Sequence, residues 1–220
     1  MIFPVRVSQR SYSWPVVTLA LIVVNVFVFL HEKTLDGYSQ SYFFDLYSLR
    51  PYYFHFANLV THMFLHAGWI HLIGNMLFLW VFGENVEDIL GHGKFLGFYL
   101  LCGVAAAAVQ IAADPMSRVP MVGASGAIAG VMGAYLVKFP RSKVEMIFFA
   151  LFFFHFSVPA WFMLLYWFGL QVLGSASGMA EAAQGGVAFF AHVGGFVAGI
   201  ALIYLMRPGE RFSRRRDLYW

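Results

Sequence analysis

The chain has 220 residues, of which 60% are apolar, 19% aromatic and only 11% charged, with a net charge of +3 and a mean hydropathy of +0.71. Soluble domains carry roughly 25% charged residues, so a water-exposed globule of this composition would lack the polar groups to cover its surface. A cytosolic protein is excluded, and with long apolar runs and no low-complexity tract so are a disordered chain, a collagen and a coiled coil. An all-α polytopic membrane protein remains.

In chain order, six segments have the length and apolar character of spanning helices: residues 14–30, 69–82, 94–112, 125–137, 159–174 and 187–206. The first follows Arg6 and Arg10 like a signal peptide, but no small-residue cleavage site precedes His31 and five spans follow, so it reads as an uncleaved anchor. Between the first two spans, residues 31–63 mix Tyr and Phe with Asp36, Asp45, Arg50 and Pro51, which suits a segment lying in the outer interface. Residues 145–158 are apolar but run into Pro159; an extra crossing there would upset the charge balance, so they read as an interfacial segment on the cytoplasmic side.

The basic residues set the orientation. With both termini cytoplasmic, the inner segments hold Arg6, Arg10, Lys94, Lys138, Arg141, Lys143, Arg207, Arg211, Arg214, Arg215 and Arg216, leaving Lys33, Arg50 and Arg118 outside. Eleven of the 14 basic residues are then inside, as positive-inside asymmetry requires. The expected organisation is a cytoplasmic segment at residues 1–13, a six-helix membrane domain at 14–206 and a basic cytoplasmic tail at 207–220. The basic residues sit at the ends of apolar segments rather than in a stripe with aromatics, so nucleic acid is not an expected partner. The lone Cys102 can form no intramolecular disulfide and offers no zinc motif.

Polar side chains are costly in hydrocarbon and those retained there are functional candidates. His71 and Asn75, four residues apart, share one face of the second span. Ser125 opens the fourth, within Gly123-Ala124-Ser125-Gly126. His192 lies in the sixth. A lone serine in a Gly-rich helix is ordinarily a packing residue bonded to its own backbone. Here, however, Gly126, Gly130 and Gly133 recur at intervals of four and three, and His192, Gly195 and Gly199 at three and four. Two bare stripes allow close backbone approach, and their contact would bring a hydroxyl beside an imidazole, the arrangement that activates a nucleophile. His71, Asn75 and the first-turn N–H groups of the helix opened by Ser125 can donate to a developing oxyanion. His62 and His66, also four apart, could with His71 be read as metal ligands, but no acidic ligand or His-Glu-x-x-His pattern accompanies them. Neither metal nor cofactor is expected.

The order and spacing of these groups resemble the rhomboid intramembrane serine proteases. The likeness runs through Phe64-Leu65-His66-Ala67-Gly68-Trp69-Ile70-His71 with Asn75, Phe82-Gly83-Glu84-Asn85-Val86-Glu87-Asp88, Gly91-His92, Gly123-Ala124-Ser125-Gly126 and Ala191-His192-Val193-Gly194-Gly195. The resemblance implies a six-helix bundle, Ser125 as nucleophile, His192 as general base and acid, and His71, Asn75 and the Ser125 N–H around the oxyanion. His66 corresponds to a histidine at the cavity rim, with Gly123, Gly126, Gly195 and Gly199 supporting the site. Implied partners are single-span membrane proteins, cut near the outer face, and the lipid bilayer, with the plasma membrane of a prokaryote as the expected location. Some members carry an aromatic four residues after the nucleophile, stacked on the histidine; here that position is Ala129, so the resemblance names no group that orients His192. The Trp-Arg pair of many first loops falls at Ala57-Asn58. The alternative from another class is a catalytically silent relative that binds membrane helices, for which Ser125 and His192 would be dispensable.

Overall fold

The computed structural model describes residues 2–149, 153–176 and 188–206. In chain order these form strand β1 (Ile2–Val7), helices α1 (Val16–Thr34) and α2 (Gly37–Tyr47), a 3-10 turn at Pro51–Tyr53, the short α3 (Asn58–Thr61) and a second 3-10 turn at His62–Phe64. Then come α4 (Trp69–Leu90), α5 (His92–Ala113), α6 (Ser125–Lys138), strands β2 (Lys143–Phe149) and β3 (Phe153–Pro159), α7 (Ala160–Ala176) and a last helix, here α8 (Phe189–Leu205). Each of the six expected apolar segments is helical. Among the described residues, α1 and α5 are long and apolar enough to cross a membrane, the α3–α4 stretch passes the same test only as one span bent by 100° at its break, and α6, α7 and α8 are shorter apolar helices. The basic tail expected at 207–220 lies outside the described residues.

The expectation of an all-α chain is corrected by a three-stranded antiparallel sheet of order β1-β2-β3. The segment read as a simple interfacial stretch at 145–158 is a hairpin pairing Lys143 with Pro159 and Phe149 with Phe153. Residues 1–13 supply the third strand, with Ile2 opposite Phe148 and Val7 opposite Val144. A short continuous apolar run has no period to separate strand from buried helix. Residue type is the better signal, since Val144, Ile147 and Phe148 belong to the β-branched and aromatic classes that suit a pleated surface. Val144 and Met146, two apart and hence on one face, are buried.

The same end of the molecule is tied together by carboxylates. A helix leaves its first N–H groups without intrahelical partners, and α1, entered through Pro15, has no side-chain cap of its own. Glu87, on α4 and fully buried, accepts from the Val17 and Thr18 N–H groups at 2.8 Å each and from the Thr18 hydroxyl at 2.7 Å. His92 Nδ1 lies 2.6 Å from Oε1, the oxygen that also accepts from Val17. Asp88 accepts from the Ser13 N–H at 3.1 Å and the Ser13 hydroxyl at 2.6 Å. Glu87 and Asp88 thus bond the start of α1 and the segment before it to the end of α4.

Hydrogen bonds also sort the helix ends. Pairing of β1 with β2, the Asp88–Ser13 bonds and the Ala160 N–H donating to the Ser142 carbonyl at 2.7 Å gather the start of α1, the α4–α5 turn and the α6–α7 connection at one end. At the other, the Met121 N–H donates to the Leu49 carbonyl and the Gly123 N–H to the His62 carbonyl, both at 2.8 Å, joining the α1–α4 and α5–α6 connections. Gln110 near the end of α5 accepts from the Ala191 N–H at 3.2 Å, so α8 starts there too. The six long helices thus alternate in direction, and α6, buried from Gly126 to Tyr135, is their centre.

Replacing Glu87 by Ala strands two backbone donors and a hydroxyl in a buried site. Loss of charge-assisted bonds of this kind costs about 3 kcal/mol, which thermal unfolding of the detergent-purified Glu87→Ala variant should register as a clear fall in Tm; an unchanged Tm would show that the tie is dispensable.

Candidate active site

The site begins with the contact between α6 and α8. A Cβ built on Gly195 would overlap the Gly126 carbonyl oxygen, one on Gly199 the Gly130 carbonyl, and one on Gly133 the Phe196 carbonyl. On the opposite side a Cβ on Gly126 would fall 2.6 Å from the Ala106 methyl of α5. No residue larger than glycine fits at these crossings, and the two backbones touch as the stripes of small residues predict.

That contact brings the starts of both helices together. Ser125 is the first residue of α6, preceded by Gly123 at φ 115°, and His192 lies in the first turn of α8, nearly buried. Ser125 Oγ and His192 Nε2 are 2.8 Å apart, within the range needed for a base to take a hydroxyl proton. No side chain caps α6, so its first-turn N–H groups and positive dipole end face the same space.

Above Ser125 opens a cavity of about 550 Å³ lined by His71, Asn75, Gly123, Ser125, Trp167 and His192 among others. His71 and Asn75 lie against the Gly123 backbone: a Cβ there would come within 2.6 Å of His71 Cε1 and 3.4 Å of Asn75 Nδ2. Asn75 Nδ2 is buried and makes no hydrogen bond, an uncommon state for a buried donor. The expected site residues Ser125, His192, His71, Asn75, Gly123 and Gly126 therefore meet at one cavity. Gly195 and Gly199 stand behind it in the helix seam.

The remaining histidines divide. His66, expected at the rim, is fully buried, with its ring edge-on to His71 at 5.1 Å between centroids; it does not line the cavity. Its backbone N–H donates to Glu32 Oε1 at 3.3 Å. His62 does line the cavity, with Nδ1 2.6 Å from the Asn58 carbonyl and its own carbonyl holding Gly123. Among the described residues no three His, Cys, Asp or Glu side chains are grouped to hold a metal ion.

Two groups that the sequence reading did not name reach His192 from α7. The Trp167 ring lies 5.6 Å from the imidazole, tilted by 39°, and Gln171 Oε1 is 2.8 Å from Nδ1. Their spacing of four residues was the available signal, since it puts both on one helix face, but an aromatic-rich helix offers many such pairs.

Comparison with known proteins identifies the family. The family model for the rhomboid domain matches residues 53–209. The chain belongs to the rhomboid family. It is 30% identical over 166 residues to the mitochondrial Rhomboid protein 1 of Saccharomyces cerevisiae, covering 72% of this chain and 44% of the yeast protein. It is 45% identical over 78 residues to the Rhomboid protease GluP of Bacillus subtilis, 36% of this chain and 15% of that one. Rhomboid-like protein 11 of Arabidopsis thaliana, a chloroplast protein, is 29% identical over 209 residues, 90% of this chain and 68% of its own length. The chain thus spans less than half of the yeast and Bacillus relatives. Rhomboid family members of this kind are integral membrane proteins, and the relatives come from mitochondria, chloroplasts and bacteria alike.

Since the site depends on the rhomboid α6–α8 seam, widening the seam should disable it without changing any polar side chain of the site. Gly195→Val is expected to lose most reactivity of Ser125 toward a serine-directed probe while still inserting and purifying; wild-type labelling by this variant would refute the dependence.

Proposed function

We propose that the protein is an intramembrane serine endopeptidase that cleaves single-span membrane proteins with a Ser-His pair. The observation that carries this reading is the 2.8 Å contact of Ser125 Oγ with His192 Nε2 at the cavity lined by His71 and Asn75. Ser125 donates its hydroxyl proton to Nε2 as Oγ bonds to the scissile carbonyl carbon. The carbonyl oxygen gains the negative charge and accepts hydrogen bonds from His71, from the otherwise unpartnered Asn75 Nδ2 and from the Ser125 N–H. His192 then gives its proton to the leaving amine as the C–N bond breaks. Water, deprotonated by the same nitrogen, releases the acyl group in a second cycle of like steps.

The helical direction and the charge distribution support a topology in which α1, α4, α5, α6, α7 and α8 all cross, with the sheet and both termini on the cytoplasmic side. In that arrangement residues 1–13 and 207–220 flank a membrane domain at 14–206, and the cavity opens to the outer face. A peptide bond within a stable helix is shielded by its own hydrogen bonds, so the favoured substrates carry helix-weakening Gly, Pro or polar residues near that face. The plasma membrane of a prokaryote is the proposed location.

A fluorophosphonate probe tests the chemistry directly. Wild-type protein in detergent should label at Ser125, and Ser125→Ala and His192→Ala should not; His71→Ala and Asn75→Ala should slow cleavage of a model transmembrane substrate by about 10² to 10³ each if they donate to the oxyanion. Absence of wild-type labelling, with a known active rhomboid labelling alongside, would overturn the proposal in favour of a membrane-helix-binding protein.

A further inference from the structure

Ala129 leaves the base without the stacking partner that some relatives draw from α6, and the structure supplies another source of orientation on α7. Gln171, buried, directs Oε1 to His192 Nδ1 at 2.8 Å. Its other amide atom, Nε2, lies 3.4 Å from the Trp167 carbonyl oxygen. Both contacts fit this facing of the amide. Turned over, it would set Oε1 against a carbonyl oxygen, two acceptors with no proton between them. The carbonyl end of Gln171 therefore faces the imidazole.

A carbonyl oxygen can only accept, so Nδ1 must carry the ring hydrogen. In a neutral imidazole the other nitrogen then holds a lone pair, and that nitrogen is Nε2, 2.8 Å from Ser125 Oγ. Trp167, one turn earlier on the same face of α7, covers the ring at 5.6 Å. We propose that Gln171 is a positioning residue that holds His192 in the Nδ1–H form, with Trp167 bracing the ring, so that Nε2 is ready to take the Ser125 proton. As Nε2 is protonated the Nδ1–H···Oε1 bond becomes charge-assisted and shorter, so the same contact stabilises the imidazolium. The inference rests on the proposed proteolysis for its catalytic meaning, while the ring's protonation pattern is a property of the resting protein.

The experiment compares Gln171→Met, which keeps length without an acceptor, with Gln171→Glu, which keeps an acceptor oxygen. In detergent-purified full-length chains labelled with 15N-histidine, the His192 signals are assigned by their loss in His192→Ala. Wild type and Gln171→Glu should show the Nδ1–H pattern, and Gln171→Met should shift toward Nε2–H. Cleavage of a model transmembrane substrate by Gln171→Met should fall in kcat by about 10- to 100-fold, the range found when partners that orient a metal-bound histidine are removed, with KM little changed, and Gln171→Glu should recover most of the loss. Equal loss in both variants, or a retained Nδ1–H pattern in Gln171→Met, would overturn the proposal by reducing Gln171 to a packing residue. If the wild type itself neither labels nor cleaves, the proteolytic reading fails and the 15N pattern alone decides the role of Gln171.

Discussion

Close backbone contact between α6 and α8 is the constraint on which the rest of the rhomboid chain depends. In lipid, apolar side chains gain nothing by leaving one apolar medium for another, so helix association relies on packing at small residues. At Gly133, Gly195 and Gly199 a carbonyl oxygen of the facing helix stands where a Cβ would be, and α5 closes on Gly126 and Gly130 through Ala106 and Cys102. A fixed approach of two helix axes then fixes the distance between their first turns. The Ser125–His192 contact follows from the seam, and neither side chain has to find the other by adjusting a loop.

The two ends of the bundle hold their buried polar groups differently, although Asn85 Oδ1 at the sheet end is also without a partner. At the sheet end, Glu87 receives two backbone N–H groups and a hydroxyl and adjoins His92. At the cavity end, Asn75 Nδ2 is buried without a partner, and both ring nitrogens of His66 and the Glu32 Oε2 atom are in the same condition. Buried polar atoms are ordinarily satisfied. The bonded carboxylates anchor the frame at the sheet end, and the unpartnered Asn75 donor lines the cavity at the other.

Much of this was legible before any coordinates. Hydrophobic length located the six helices, and the glycine intervals named both faces of the central seam because small residues at intervals of three and four have one physical use in a membrane helix. His71 and Asn75 were legible for a related reason, as polar groups on one face of an apolar helix. The sheet was not, because residues 143–159 are apolar without a usable period and the third strand, β1, comes from the far N-terminal end of the chain. Gln171 and Trp167 were missed on other grounds. In an aromatic-rich helix nothing in the spacing distinguishes the face that meets His192 from the face that meets lipid, and only the placement of α7 against α8 makes the choice.

The composition of the site follows from its surroundings. Ser125, neutral His192, Gln171, Asn75 and His71 bring no net charge into the buried region at rest, and charging a group there carries a desolvation cost of several kcal/mol. On the proposed reaction, charge appears only as a pair, imidazolium on one side and oxyanion on the other, close enough to offset each other in a low dielectric. A carboxylate at the position of Gln171 would stabilise the imidazolium more strongly but would place an unpaired charge beside Nδ1 in the resting protein. A neutral amide gives up part of that electrostatic help and keeps the directional part, namely which nitrogen bears the hydrogen. For a site enclosed by apolar helices, orientation is the contribution obtained without a standing charge.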